Sequence, residues 1–123
     1  MISTLTQTTT SFVEELAAHA VPLAAAPLDT LLLGDVVSIH ATRIDVLVES
    51  VAAGQIWIRT YGAAKTVAVE SNIGAVPAGT PTRLVYGVGT NEAVGQTFDL
   101  FYRPTGGGPA PGDTATIWAA ARQ

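Results

Sequence analysis

From Gly34 onward the chain is punctuated by glycine followed by a polar residue, at Gly34-Asp35, Gly54-Gln55, Gly79-Thr80, Gly95-Gln96 and Gly112-Asp113. Glycine supplies the positive φ of a tight turn, and the alternation that follows places every second side chain on one face of a strand. Val37, Ile39 and Ala41 oppose Ser38, His40 and Thr42. Ile44, Val46 and Val48 then alternate with Asp45, Leu47 and Glu49 in a shifted phase, which marks a bulge or corner near Arg43. Ile56 and Ile58 oppose Trp57, Arg59 and Tyr61, and Val67 and Val69 follow a tight turn at 62–65, so residues 55–70 read as a hairpin. Leu84, Tyr86 and Val88 form a further strand, and so do Phe98, Leu100 and Tyr102 against Asp99 and Phe101. The last strand runs from Thr114 to Ala120. No βαβ rhythm occurs, and the Gly-polar pairs are too irregularly spaced for a solenoid.

The first third reads differently. Residues 1–10, MISTLTQTTT, are Thr-rich and uncharged, which suits an extended arm that pairs with a neighbour through Thr4, Leu5 and Thr6. Ser11 and Glu14 fit a capping box, and Phe12, Leu16 and Ala20 fall at i, i+4, i+8, so a short helix is expected until Pro22 stops it. A helix of two to three turns cannot persist alone and must dock on something. Residues 21–33, VPLAAAPLDTLLL, are too apolar for a solvated loop and should lie buried along a surface or between subunits. The sequence thus divides into 1–33 (arm, short helix and apolar proline-containing segment) and a β domain over 34–123. The fold class is mainly β: a single antiparallel β-sandwich or small β-barrel of about seven strands, with a short N-terminal helix and an extended arm.

Charge narrows the function. Only 13% of the 123 residues are charged, against about 25% in typical domains, while 48% are hydrophobic. Such a chain is too aliphatic to be disordered. Its longest apolar run, residues 20–28, is broken by two prolines and falls short of the ~20 residues of a membrane span. The net charge of −4 argues against a nucleic-acid binder, which needs clustered Lys and Arg. No Lys or Arg precedes Arg43, so the cationic start of a secretory signal is missing. A surface this poor in ions associates readily, because neither repulsion nor hydration opposes contact.

Chemistry-bearing patterns are weak. With no Cys and two His, no metal or cofactor site is expected. Ser38 and His40 share a strand face, but no nucleophile elbow or oxyanion turn accompanies them. His19 suits a helix C-terminus. The glycines of 104–112 lack the Lys and following helix of a phosphate loop, and Gly87-Val88-Gly89 lacks the third glycine of a dinucleotide site. Asp45 and Glu49 stand about 13 Å apart on one strand face, too far for joint acid–base work. Trp57, Arg59 and Tyr61 share a face, either as an aromatic binding platform or as a second packed face with Arg59 stacked on rings.

The reading is a non-enzymatic assembly protein. Its partners are copies of itself or a larger protein lattice such as a capsid shell, without nucleic acid, membrane or small-molecule ligand. Candidate partner-binding residues are Thr4, Leu5, Thr6, Phe12, Leu16, Val21, Leu23, Leu28, Trp57 and Tyr61. In composition the chain is similar to virion shell and appendage proteins of tailed phages, which are short, rich in Thr, Ala and Gly, and free of Cys. That likeness implies a capsid decoration or other minor head or tail component, located in the virion and assembled in the host cytoplasm. One alternative is a carbohydrate- or protein-binding module using Trp57, Tyr61 and Trp118. A second is a hydrolase built on Ser38, His40 or a carboxylate pair.

Overall fold

The computed structural model describes residues 13–37, 41–61, 67–87 and 97–122. The described residues form eight strands and no helix: β1 (Val13–Pro22), β2 (Thr30–Val37), β3 (Arg43–Ser50), β4 (Gly54–Tyr61), β5 (Val67–Val76), β6 (Thr82–Gly87), β7 (Thr97–Pro104) and β8 (Thr114–Arg122). They make two antiparallel four-stranded sheets, ordered β1-β8-β3-β6 and β2-β7-β4-β5. Every connection crosses from one sheet to the other except β4 to β5. This is the jelly-roll arrangement of a β-sandwich, and it decides between sandwich and barrel.

Period-two alternation builds the interior. Ile44, Val46 and Val48 of β3 point inward while Arg43, Leu47 and Glu49 are exposed. They meet Ile56 and Ile58 of β4, Phe98, Leu100 and Tyr102 of β7, and Ile117, Ala119 and Ala121 of β8 in one core. Tyr102 is wholly buried, and its hydroxyl donates to the Ala53 carbonyl at 2.6 Å, closing the β3–β4 connection over the core. Gly54 makes this possible. A Cβ there would overlap the Tyr102 ring and stand 2.8 Å from the Arg103 carbonyl oxygen. The connections 23–29, 51–53, 77–81 and 105–113 all lie at one end of the sandwich, where Leu28 and Val51 are exposed.

Three sequence expectations are corrected. The expected N-terminal helix is a strand from Val13 onward; Ser11 and Phe12 lie outside the described residues. A spacing of four satisfies a strand face as well as a helical stripe, so Leu16 and Ala18 turn toward the core while Glu15, Ala17 and His19 are exposed. The segment gains a full backbone ladder against β8, with a register shift between Ala18 and Val21 where Ala20 adopts φ 52°. Pro22 ends this edge strand, a position proline tolerates.

The second strand begins at Thr30, not Gly34. Gly34 and Asp35 sit inside β2, where the pairing with β7 is irregular between Leu33 and Val36 and Asp35 has φ 56°. The Gly-polar pair therefore marks a bulge rather than a strand start. Part of the apolar segment 21–33 is buried as expected, with Leu23 packed on the core and Leu32 and Leu33 inside it, but Leu28 and Leu31 are 63% and 57% exposed. The phase change near Arg43 is a corner, since β2 and β3 belong to different sheets. The added strand β1 raises the number from about seven to eight.

Candidate functional site

The outer faces of the two sheets differ, and the difference follows from which residues fall on odd positions. On the sheet β2-β7-β4-β5, Trp57 and Arg59 of β4 pair in register with Phe101 and Asp99 of β7. The Arg103 guanidinium lies 4.1 Å from the centre of the Trp57 ring and 5.5 Å from that of Phe101, and the Arg59 guanidinium lies 4.6 Å from the centre of Phe101. Phe101 points outward yet is only 3% exposed, because the two guanidiniums cover it. Arg103 also holds both carboxylate oxygens of Asp29 at 3.0 Å and reaches Glu70 at 3.4 Å, while Arg59 meets Glu70 at 2.9 Å. Such interleaved planar cations and rings stack well, and the carboxylates fix the stack sideways.

Tyr61 donates its hydroxyl to Asp99 at 2.8 Å, and the other Asp99 oxygen accepts from the Asp35 amide at 3.0 Å, tying the β2 bulge to β4. The hydrogen bond to Tyr61, then Glu70, holds the Arg59 guanidinium further above its ordinary range, and Asp29 does the same for Arg103. Burial pushes the Tyr102 hydroxyl up from its ordinary value. The face is thus occupied by its own side chains.

The outer face of the sheet β1-β8-β3-β6 mixes apolar and charged groups. Register places Ala17, Trp118, Leu47 and Arg83 in one row across the four strands, with Glu15, Ala120, Asp45 and Val85 in the next. Leu47 and Val85 are 40% and 58% exposed, and Trp118 is half-buried, its indole N–H donating to Glu15 at 3.2 Å. Ala17, Leu47, Pro81, Thr116 and Trp118 line a shallow groove of about 310 Å³ whose walls are mostly apolar. Charge lies within this strip, at exposed Glu15 and Arg83, and also flanks it. Arg43 and Arg122 lie at one end, both on Asp45 at 3.3 and 2.9 Å, and exposed Glu49 lies toward the other.

Of the residues named from sequence, Thr4, Leu5, Thr6 and Phe12 lie outside the described residues, as do Ser38 and His40. Leu16, Val21 and Leu23 are half-buried against the core. Leu28 is exposed at the loop end, whereas Trp57 and Tyr61 belong to the arginine stack. Leu47, Val85 and Arg103 were not singled out by the sequence. The signal for Arg103 was its place two residues after Phe101 on the face shared with Asp99. Among the described residues no three of His, Asp and Glu converge as a metal site, and no helix is long and apolar enough to cross a membrane.

No protein-family model and no curated protein matches the sequence. Similar folds occur among solved structures. The infectious bursal disease virus VP2 subviral particle aligns with a TM-score of 0.67 and 14% identity, over 93% of this chain and 33% of that one. The T13 viral particle of the same virus aligns with a TM-score of 0.55 and 13% identity, over 89% and 30%. The SPBc2 prophage-derived protein YomS aligns with a TM-score of 0.52 and 10% identity, over 94% of this chain and 96% of that one. The chain therefore spans about a third of the viral proteins and nearly the whole of YomS. At these identities the shared property is the fold.

Proposed function

We propose that this chain is a non-enzymatic structural subunit that works by packing against copies of itself or into a larger protein lattice. The observation that carries this reading is the jelly roll combined with a sheet face of Leu47, Val85 and Trp118 that no element of the described chain covers. A rigid sandwich keeps its shape while its outer faces make contacts, and a surface with 13% charged residues offers little resistance to them. Two structural likenesses support the same reading. One is to a protein of an icosahedral virus particle, and the other is to a prophage-derived protein of nearly the same length.

Within that class we favour a small virion component of a tailed phage, either a capsid decoration or a minor head or tail protein. A single compact sandwich is too small to resemble more than a third of VP2, and its extent matches that of the prophage protein. The test is mass spectrometry of particles purified from cells that encode the chain. Many copies per particle are expected. A chain abundant in the cells but missing from their particles would overturn the virion assignment.

A further inference from the structure

The two sheets leave four edge strands, and three of them are interrupted. Register shifts break the pairing of β1 with β8, of β2 with β7 and of β5 with β4, and positive φ angles at Ala20, Asp35 and Gly74 accompany them. Bulges of this kind keep an edge from pairing with another chain. The fourth edge, β6, has none: Thr82–Gly87 pairs with β3 along its whole length without a shift. We infer, on the assembly reading above, that this edge pairs antiparallel with the β6 of a second copy. The two-fold axis passes through Val85 and stands perpendicular to the sheet.

Backbone geometry selects the residues. The Val51 amide donates to the Thr114 carbonyl at 3.0 Å, continuing the register that pairs β3 with β8. Successive strand residues aim their backbone groups to opposite sides, so odd-numbered residues of β3 bond to β8 and even-numbered ones face β6. The Ser50 carbonyl agrees, since it accepts from the Gly79 amide at 2.7 Å on the side where β6 begins. Ile44, Val46 and Val48 therefore exchange hydrogen bonds with Tyr86, Leu84 and Thr82. The N–H and C=O groups of Arg83, Val85 and Gly87 are left pointing away from β3, and no described strand lies beyond them.

Pairing centred on Val85 uses every one of these groups. Val85 exchanges both its bonds with the partner's Val85, and Arg83 and Gly87 do so with the partner's Gly87 and the partner's Arg83, as an isologous contact requires. Centring on Leu84 or on Tyr86 would leave the groups of one outward residue on each strand unpaired. The side chains fit the same register. Val85, 58% exposed, meets its own copy in a β-branched pair on the outer face. Leu84 falls opposite the partner's Tyr86 on the inner face, where both residues already pack against the core, so the two cores join. Arg83, the one charged residue of β6, faces a glycine. By the strand rise the two Arg83 residues stand about 14 Å apart, beyond the ~8 Å over which charges act at physiological salt.

The test is sedimentation velocity on full-chain variants, with circular dichroism to establish folding. The Val85 side chain is exposed, so changing it leaves the core untouched. Val85→Lys sets two cations directly opposite each other across the axis, and Val85→Glu sets two anions there. Each is expected to weaken self-association about tenfold. An equal mixture of the two should form a heterodimer tighter than either homodimer, because Lys then faces Glu. Val85→Pro deletes an N–H that the β3 ladder does not use, so it should abolish the dimer while the edge strand stays folded. If that variant fails to fold, the Lys and Glu pair decides alone. Association unchanged in both charge variants overturns this edge and leaves the assembly reading standing. Loss in both without recovery on mixing overturns the axis through Val85. A wild-type chain that stays monomeric at millimolar concentration overturns the edge and the assembly reading together.

Discussion

Arg103 places its guanidinium 4.1 Å from the centre of the Trp57 ring and grips both oxygens of Asp29 at 3.0 Å, so one side chain joins β7, β4 and the segment leading into β2. Three strands that are distant in sequence are fixed sideways by this contact, outside the core. It also explains why an aromatic row on an outer face does not stand open to solvent.

Arg103→Ala should lower stability by about 1–2 kcal/mol, since it removes a partly shielded cation–π contact and a forked ion pair. Arg103→Lys should recover less than half of that loss, because an ammonium neither stacks on a ring nor grips two oxygens in plane. Urea unfolding followed by Trp57 fluorescence checks both. Equal stability of the Lys variant and wild type would deny the stack its role.

Gly54→Ala should destabilise by about 2–3 kcal/mol through overpacking, because the added methyl overlaps the Tyr102 ring and crowds the Arg103 carbonyl. Gly79 has no atom within 4 Å of where a Cβ would stand but holds φ 71°, so Gly79→Ala is a control that carries backbone strain alone. Thermal melts of the two should separate them, with Gly54→Ala the lower. The reverse order would contradict the packing account.

Stability should fall in alkali through Tyr102. Burial raises its pKa above the ordinary 10.0, so the folded state keeps the proton where the unfolded state has lost it. The contribution is therefore fully present below about pH 10 and is lost as pH rises from there through the folded pKa. Tyr102→Phe should be less stable than wild type at pH 8 and show a shallower decline from pH 9 to 11. Parallel pH curves for the two proteins would show that the hydroxyl is not the group responsible.

Residues 1–10 remain the best candidate for an arm that reaches a neighbour, on the strength of their uncharged, Thr-rich sequence. Deleting them should reduce the assembled fraction by several-fold while moving the melting temperature by no more than a degree or two. An unchanged sedimentation profile would assign adhesion to the sandwich faces alone.

How much was legible in the sequence depended on whether a pattern was local. Strand β3 alternates strictly and β4 as far as Thr60, so their inward residues could be read directly, whereas in β7 and β8 buried Phe101 and Ala120 interrupt the alternation. Phe12, Leu16 and Ala20 misled because a spacing of four fits both a strand face and a helical stripe, and only the ladder to β8 decides between them. Gly34-Asp35 misled because a bulge and a turn use the same residues. The stack of Trp57, Arg59 and Phe101 was half visible, since Arg59 stands between Trp57 and Tyr61 in sequence, but Phe101 and Arg103 come from a strand some forty residues later. The apolar row of Ala17, Trp118 and Leu47 was not readable at all. Those three residues meet only through the register of three strands drawn from both ends of the chain.

Sedimentation equilibrium of the purified full chain, from about 10 μM to about 1 mM, tests most directly whether this sandwich is made to be covered by protein. The account predicts a weight-average mass that climbs from 12.6 kDa toward twice that value and beyond as concentration rises. A mass fixed at 12.6 kDa across the whole range would contradict it.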